Sequence, residues 1–344
     1  MKIKSNRNAR NNLILILLFI SLIFLILISF MLGRYYISFI NVIKSLGSMI
    51  TDYDLDVPQV CKSIINNIRF PRIIVCVLVG SALSVSGVSY QGIFQNPMVS
   101  PDVLGASAGA GFGAALGIVL SFSGIGIQLL SFVFGLIAVG LTYFISKAVG
   151  QRENVTLVLV LAGMVIAALF SAFISIIKYV ADPYSKLPEI TFWLMGSLSS
   201  VTIKDLKMIV IPITICMAIL LLIRWRLNVL VFGDEEASSM GINTKRLRAL
   251  VIICATVLTA SVVSISGQIG WVGLVIPHLS RMIVGPNHKH LIPATLLIGA
   301  LFLLIVDNIS RILFPVEIPL GILTAIIGAP CFIILLLRGK RGWC

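Results

Sequence analysis

Asp307 is the one clear acid inside an apolar run of this chain, and Arg311 follows it at i+4. On a helix the two share a face, and each lowers the cost of holding the other near hydrocarbon. Two readings stand: a structural charge pair near one membrane face, or part of a transport or docking site. Other chemistry is sparse. His278, His288 and His290 form no HExxH, and the last two lie in a polar GPNHKH turn. Cys61, Cys76, Cys216, Cys254, Cys331 and Cys344 show no CxxC spacing, and four of them lie in apolar runs, which reads as inert thiols. No GxxxxGK[ST] phosphate loop is present, and the loose GxGxxA at Gly109, Gly111 and Ala114 follows no strand. A lipid-modifying enzyme would need paired carboxylates, a His cluster or a nucleophile constellation in the spans, and there is none. No catalytic residue, metal ligand or cofactor is expected.

Two stretches are built for mechanics. In QGIFQNPMVSPDVLG, Pro97 and Pro101 lack a backbone donor and push their preceding residues out of helical geometry. The chain therefore breaks between two apolar runs. Broken backbone at membrane depth survives only where protein covers it or it lines a watery cavity, so this segment reads as a pore wall or gate. In NVLVFGDEEASSMGINTKRLRAL, Asp234, Glu235 and Glu236 suit a helix N-terminus, and Gly241 precedes a basic stretch. This reads as two short helices with a glycine turn and a docking surface for a soluble partner.

The elements that must carry these features are membrane spans. The chain has 344 residues, of which 58% are hydrophobic and 11% charged, and its mean hydropathy is +1.08. A soluble globular domain lies far from these values. Ten apolar segments can be laid out: Leu13 to Leu32, Pro71 to Tyr90, Val103 to Leu120, Ile125 to Ile145, Val155 to Ile177, Leu206 to Ile223, Leu250 to Ser266, Val272 to Val284, Leu291 to Phe314 and Leu320 to Leu337. The third and eighth are short. Gly105, Gly109, Gly113 and Gly117 stripe the third, a close-packing surface. Lys2, Lys4, Arg7 and Arg10 precede the first run, which is too long for a signal peptide and reads as a retained helix starting in the cytoplasm. That start places sixteen of the 26 Lys and Arg on the cytoplasmic side, as the positive-inside tendency requires. Basic loops also explain the net charge of +13, so no nucleic-acid partner is expected.

Five stretches together carry a family resemblance: RFPRIIVCVLVGSALSVSGVSYQGIFQNPMVSPDVLGASAGAG, ITFWLMGSLSS, FGDEEASSMGI, SGQIGWVGLVIPHLSRMIVG and PLGILTAIIGAPCFIILLLRG. In this order, from about Arg69 to Gly339, the chain resembles the FecCD family, the membrane permeases of ABC importers for iron-siderophore complexes, haem and cobalamin. The resemblance implies an all-α polytopic protein with ten transmembrane helices and the type II importer permease fold. It also implies one permease domain over 1–344, with 1–12 a cytoplasmic basic leader and 228–248 the cytoplasmic coupling helices. The implied partners are a cytoplasmic ABC ATPase dimer, an extracytoplasmic substrate-binding protein and a second permease copy, identical or paralogous, within membrane lipid. The implied location is the bacterial cytoplasmic (inner) membrane, with both termini in the cytoplasm. The chain would not be an enzyme, because the partner hydrolyses ATP.

Residue by residue, the resemblance puts Gly233, Asp234, Glu235, Glu236, Ala237 and Gly241 in the coupling segment seated in the ATPase groove. Arg69, Arg72 and Arg311 match arginines that receive carboxylates of the binding protein. Gln91, Asn96, Pro97, Met98 and Thr156 fall on the gate and translocation path. Val306 stands where the family usually has a small residue. The competing function is a secondary transporter driven by an ion gradient, for which internal inverted repeats would speak, and none is evident.

Overall fold

The computed structural model describes residues 2–51, 57–149, 155–313 and 315–339. Fourteen α-helices make up these residues together with short 3-10 and π turns. In chain order they are α1 (Lys2–Met31), α2 (Phe39–Thr51), α3 (Gln59–Ile64), α4 (Phe70–Phe94), α5 (Ala106–Val119), α6 (Gly124–Val149) and α7 (Val155–Val180). The second half holds α8 (Lys186–Leu194), α9 (Ile203–Val229), α10 (Asp234–Ser239), α11 (Thr244–Ser266), α12 (Val272–Val284), α13 (His288–Ile312) and α14 (Leu320–Gly339). Seven helices are long and apolar enough to cross a bilayer, and α5, α12 and α14 are shorter apolar ones. All ten apolar segments read from the sequence fall on these ten helices. Phe314, at the end of one of them, and the basic residues Arg152, Lys340 and Arg341 lie outside the described residues.

The sequence reading left three elements out. Two of them are α2 and α3, and α3 continues through a π turn at Ile65–Arg69 into α4, making one helical stretch from Gln59 to Phe94. On α2, Phe39, Ile40 and Ile43 are exposed while Val42, Ser45 and Ser48 are buried. This is an amphipathic helix lying against the bundle, and its mixed pattern hides it from a search for continuous apolar runs. The short α8 is the third. The coupling segment also differs from the expectation. Only α10 is a separate short helix, because the second one, capped by the Asn243 side chain accepting the Arg246 amide at 3.0 Å, runs straight on into α11.

The helix α4 is the axis of the bundle. It is buried over most of its length and packs on α13, α11, α12 and α9. Lipid offers hydrocarbon side chains no advantage over one another, so close approach and interhelical hydrogen bonds must hold such an axis. Both are present. A Cβ placed on Gly87 would lie 1.8 Å from the Gly273 carbonyl oxygen on α12, and one on Gly80 would lie 2.3 Å from the Gly299 oxygen on α13. Toward α11, the Ser86 hydroxyl lies 3.0 Å from that of Thr259, and the Tyr90 hydroxyl 3.0 Å from that of Thr256. The glycine stripe of α5 divides its work. Gly109 and Gly113 admit the backbone of α6, where a Cβ would meet the carbonyls of Phe134 at 2.5 Å and Leu130 at 2.4 Å. Gly105 instead turns the chain, with φ +83°.

Gly87→Val forces two backbones apart, and overpacking of this kind costs about 1–3 kcal/mol or more. The expected outcome is a clearly lowered thermal midpoint in detergent. Gly140→Ala, where an added Cβ meets nothing within 4 Å, should leave the midpoint unchanged or slightly raised.

Candidate functional site

At the Phe94 end of α4 the helix stops as the sequence predicts. Gln95 takes a left-handed conformation (φ 49°, ψ 32°), and its side-chain amide donates to the Leu230 carbonyl, just ahead of α10. The Asn96 carboxamide oxygen accepts the Met98 amide at 2.9 Å, closing a turn around Pro97, and a 3-10 turn at Pro101–Leu104 follows. Gln91 is buried and braces this turn from two sides. Its Nε2 donates to the Val99 carbonyl at 3.3 Å, and its Oε1 accepts from Arg281 on α12 at 3.0 Å. Asn96 and Met98 are exposed. The backbone of Thr156 lies on α7, and its side chain is outside the described residues.

Beyond this break lies a cavity of about 750 Å³. Its wall includes Asp102, Ser107, Ser171, Met195, Gln268 and Trp271. Three more irregular segments meet there, and their backbone groups satisfy one another. Ser197 donates its amide to the Ser266 carbonyl at 2.8 Å, Leu320 donates to Gly196 at 2.8 Å, and Gly321 donates to Met195 at 3.1 Å. A Cβ on Gly267 would lie 2.2 Å from the Trp193 oxygen, so glycine is required for this knot. Trp271 holds a φ of 70°, which a non-glycine residue adopts only where its surroundings impose it. Gly328 leaves room for its side chain, since a Cβ there would stand 2.6 Å from that of Trp271. Sequence reasoning located the break after α4 but not the cavity. The signal available was the glycines at 196, 267, 270 and 321, each beside a helix end.

The coupling segment is compact. Gly233 (φ 102°) begins it and Gly241 (φ 80°) ends it. Glu235, Glu236 and Met240 are exposed, whereas Ala237 has no exposed surface. The methyl of Ala237 therefore faces the chain's own interior, and the described outward surface of α10 is carried by Glu235, Glu236, Ser238 and Ser239, with Met240 just past its end. The Asp234 side chain lies outside the described residues.

At the far end of α4, the three arginines expected at a docking rim are buried, with exposures of 4% for Arg69, 4% for Arg72 and 7% for Arg311. Their partners are internal. Arg72 contacts Asp307 at 2.9 Å and Glu317 at 2.9 Å, and Arg311 contacts Asp307 at 3.1 Å. Arg69 donates to the Phe30 and Tyr35 carbonyls, and Arg311 to the Asn308 side chain, whose amide in turn donates to Ser29 on α1 at 2.7 Å. The i+4 pair forms as its spacing predicts. The Arg72 arm, 235 residues away in sequence, was not legible there. The cluster ties α1, α4, α13 and the segment before α14 at one point. Removing one member of a buried pair strands the others and costs about 3–5 kcal/mol. Asp307→Asn should accordingly lower the thermal midpoint, measured by unfolding in detergent, much more than the apolar triple variant Arg72→Met, Asp307→Leu and Arg311→Met, which strands only the part-exposed Glu317. Equal losses would mean that the charges are not coupled.

A family model described as the FecCD transport family matches residues 21–338. The chain is 43% identical, over 92% of both lengths, to the molybdate import system permease protein MolB of Haemophilus influenzae. It is 42% identical to a probable iron chelatin transport system permease protein of Helicobacter pylori, over 80% of this chain and 83% of that one. A solved structure described as an inward-facing conformation of a metal-chelate type ABC transporter superposes with a TM-score of 0.85 at 41% identity, covering 94% of this chain and 99% of that chain.

Proposed function

The chain belongs to the FecCD transport family as the permease subunit of an ABC importer, and from that premise we propose that it moves a metal chelate, such as an iron-siderophore complex, haem or cobalamin, by alternating access. The subunit is not itself an ATPase, and its family implies ATPase and binding-protein partners. The observation that carries the substrate reading is the size of the cavity. At about 750 Å³ in one copy, still open on one side, it already lies within the roughly 300–1,000 Å³ typical of sites for drug-sized ligands. A free four-oxygen anion such as molybdate, the cargo named for the Haemophilus influenzae relative, needs far less room.

In this reading the end of the bundle that carries α10 faces the cytoplasm. Arg224, Arg226, Lys245, Arg246 and Arg248 cluster at that end, which suits the positive-inside tendency. The exposed acids of α10 engage the ATPase, with Gly233 and Gly241 setting its angle. The segment Gln91 to Met98 is the gate that responds, and Thr156 belongs to the same path. The opposite end receives the binding protein. There Arg69, Arg72 and Arg311 act chiefly by holding the docking face in shape, and a carboxylate of the binding protein reaches them only in competition with Asp307 and Glu317. A second permease copy, identical or paralogous, completes the path.

Reconstitution with the ATPase and the binding protein tests the reading. Uptake of a ferric chelate should require ATP and survive an uncoupler, and Glu236→Arg should leave ATP hydrolysis running while uptake falls at least about ten-fold. Arg69→Glu with Arg72→Glu should weaken binding-protein association and spare that of the ATPase. Vesicles in which the chain alone accumulates a solute against its gradient would refute the proposal.

A further inference from the structure

The cavity wall carries charge of one sign. Among the described residues, Asp102 is the one ionisable residue in its lining, and no lysine, arginine or histidine is among the rest. The side chain is exposed to the cavity. It is also fixed in place: the Ser107 hydroxyl donates to its Oδ1, and the Ser107 carbonyl in turn accepts from Gln268 Nε2 at 3.1 Å. The polar wall on this side is thus a chain of hydrogen bonds from the segment after α11, through the first turn of α5, to the carboxylate. Among the described residues Asp102 has no ion-pair partner, unlike Asp307 at the far end of the bundle. The remaining wall is largely apolar or uncharged, with Ala108, Ile174, Leu194, Ile322 and Ile326 among its members. A charge on the wall of a cleft lined largely by apolar groups acts across that space, because apolar walls screen it less than water does.

We propose that Asp102 is a specificity-determining residue that makes the cavity favour neutral and cationic metal chelates and oppose anionic ones. The inference rests on the reading that the cavity is the cargo path. It narrows that reading by charge: a free oxyanion, or a chelate whose ligand leaves a net negative charge, meets a like charge with no cation in the wall to offset it. Charge complementarity of this kind discriminates through repulsion of the wrong cargo as much as through attraction of the right one.

The field can be measured without transport. Ala325→Cys, on the α14 side of the cavity, places a reporter thiol in the wall of the full chain. Its labelling rates in detergent are taken with a cationic trimethylammonium-ethyl methanethiosulfonate and an anionic sulfonatoethyl methanethiosulfonate. Each rate is normalised to that of a small free thiol, with the unsubstituted chain as the blank for the native cysteines. The normalised rates should favour the cation by on the order of ten-fold. Asp102→Asn should remove that preference, Asp102→Glu should keep it, and Asp102→Lys should reverse it. A cation-to-anion ratio unchanged in Asp102→Asn and Asp102→Lys overturns the proposal. Because labelling needs neither ATPase nor binding protein, such a result leaves the importer reading to stand or fall on the uptake experiment.

Discussion

Hydrocarbon supplies no water to an unpaired N–H or C=O, and that constraint decides where this chain can be irregular. Residues 95–105, 195–197, 267–271 and 317–319 leave regular α-helical geometry, and the last three of these breaks meet at their ends. Three backbone bonds, from Ser197 to Ser266, Leu320 to Gly196 and Gly321 to Met195, link the later breaks, and the glycines at 196, 267 and 321 let the backbones approach closely enough to pair. The cavity is what the meeting leaves open. The open space here is therefore a consequence of satisfying the backbone, and its wall mixes apolar side chains with the few polar ones at the breaks.

The same economy applies to charge. Asp307, Arg72, Arg311 and Glu317 are affordable at the end of α4 because each is matched by another. Four segments distant in sequence are pinned there. The opposite end is held more loosely, by the amide of Gln95, by Gln91 and by Arg281. One end of the central helix is clamped and the other is tied by single hydrogen bonds. Under the alternating-access mechanism proposed above, motion arriving at one face would act on the end held by single hydrogen bonds.

Much of this was legible in the sequence. The ten apolar helices follow from hydropathy alone, and the break after Phe94 follows from Pro97 and Pro101. The i+4 pair of Asp307 and Arg311 follows from helix geometry, and the close packing of α5 from its glycine spacing. What escaped was non-local or mixed in pattern. Arg72 meets Asp307 only because α4 lies along α13, which no local rule encodes. The amphipathic α2 and the short α8 lack the continuous apolar run that marks a span. Asp102 stands beside two residues that read as turn formers, so its position in a cavity wall emerges only when α5, α7, α14 and the segment after α11 are brought together. Ala237, read as part of a contact surface, faces inward because a six-residue helix has one side to bury and that side needs a small group.

The tie between Gln95 and the Leu230 carbonyl sets a limit on how force can be passed inward. A single amide hydrogen bond contributes about 1 kcal/mol net, so it works as a fuse. It joins the turn at Gln95 to the residue four positions ahead of α10, so a displacement there would carry the turn only as far as this bond holds. If α10 receives the partner's motion, as proposed above, the part of it that reaches the turn at Gln95 is limited by the strength of this one link.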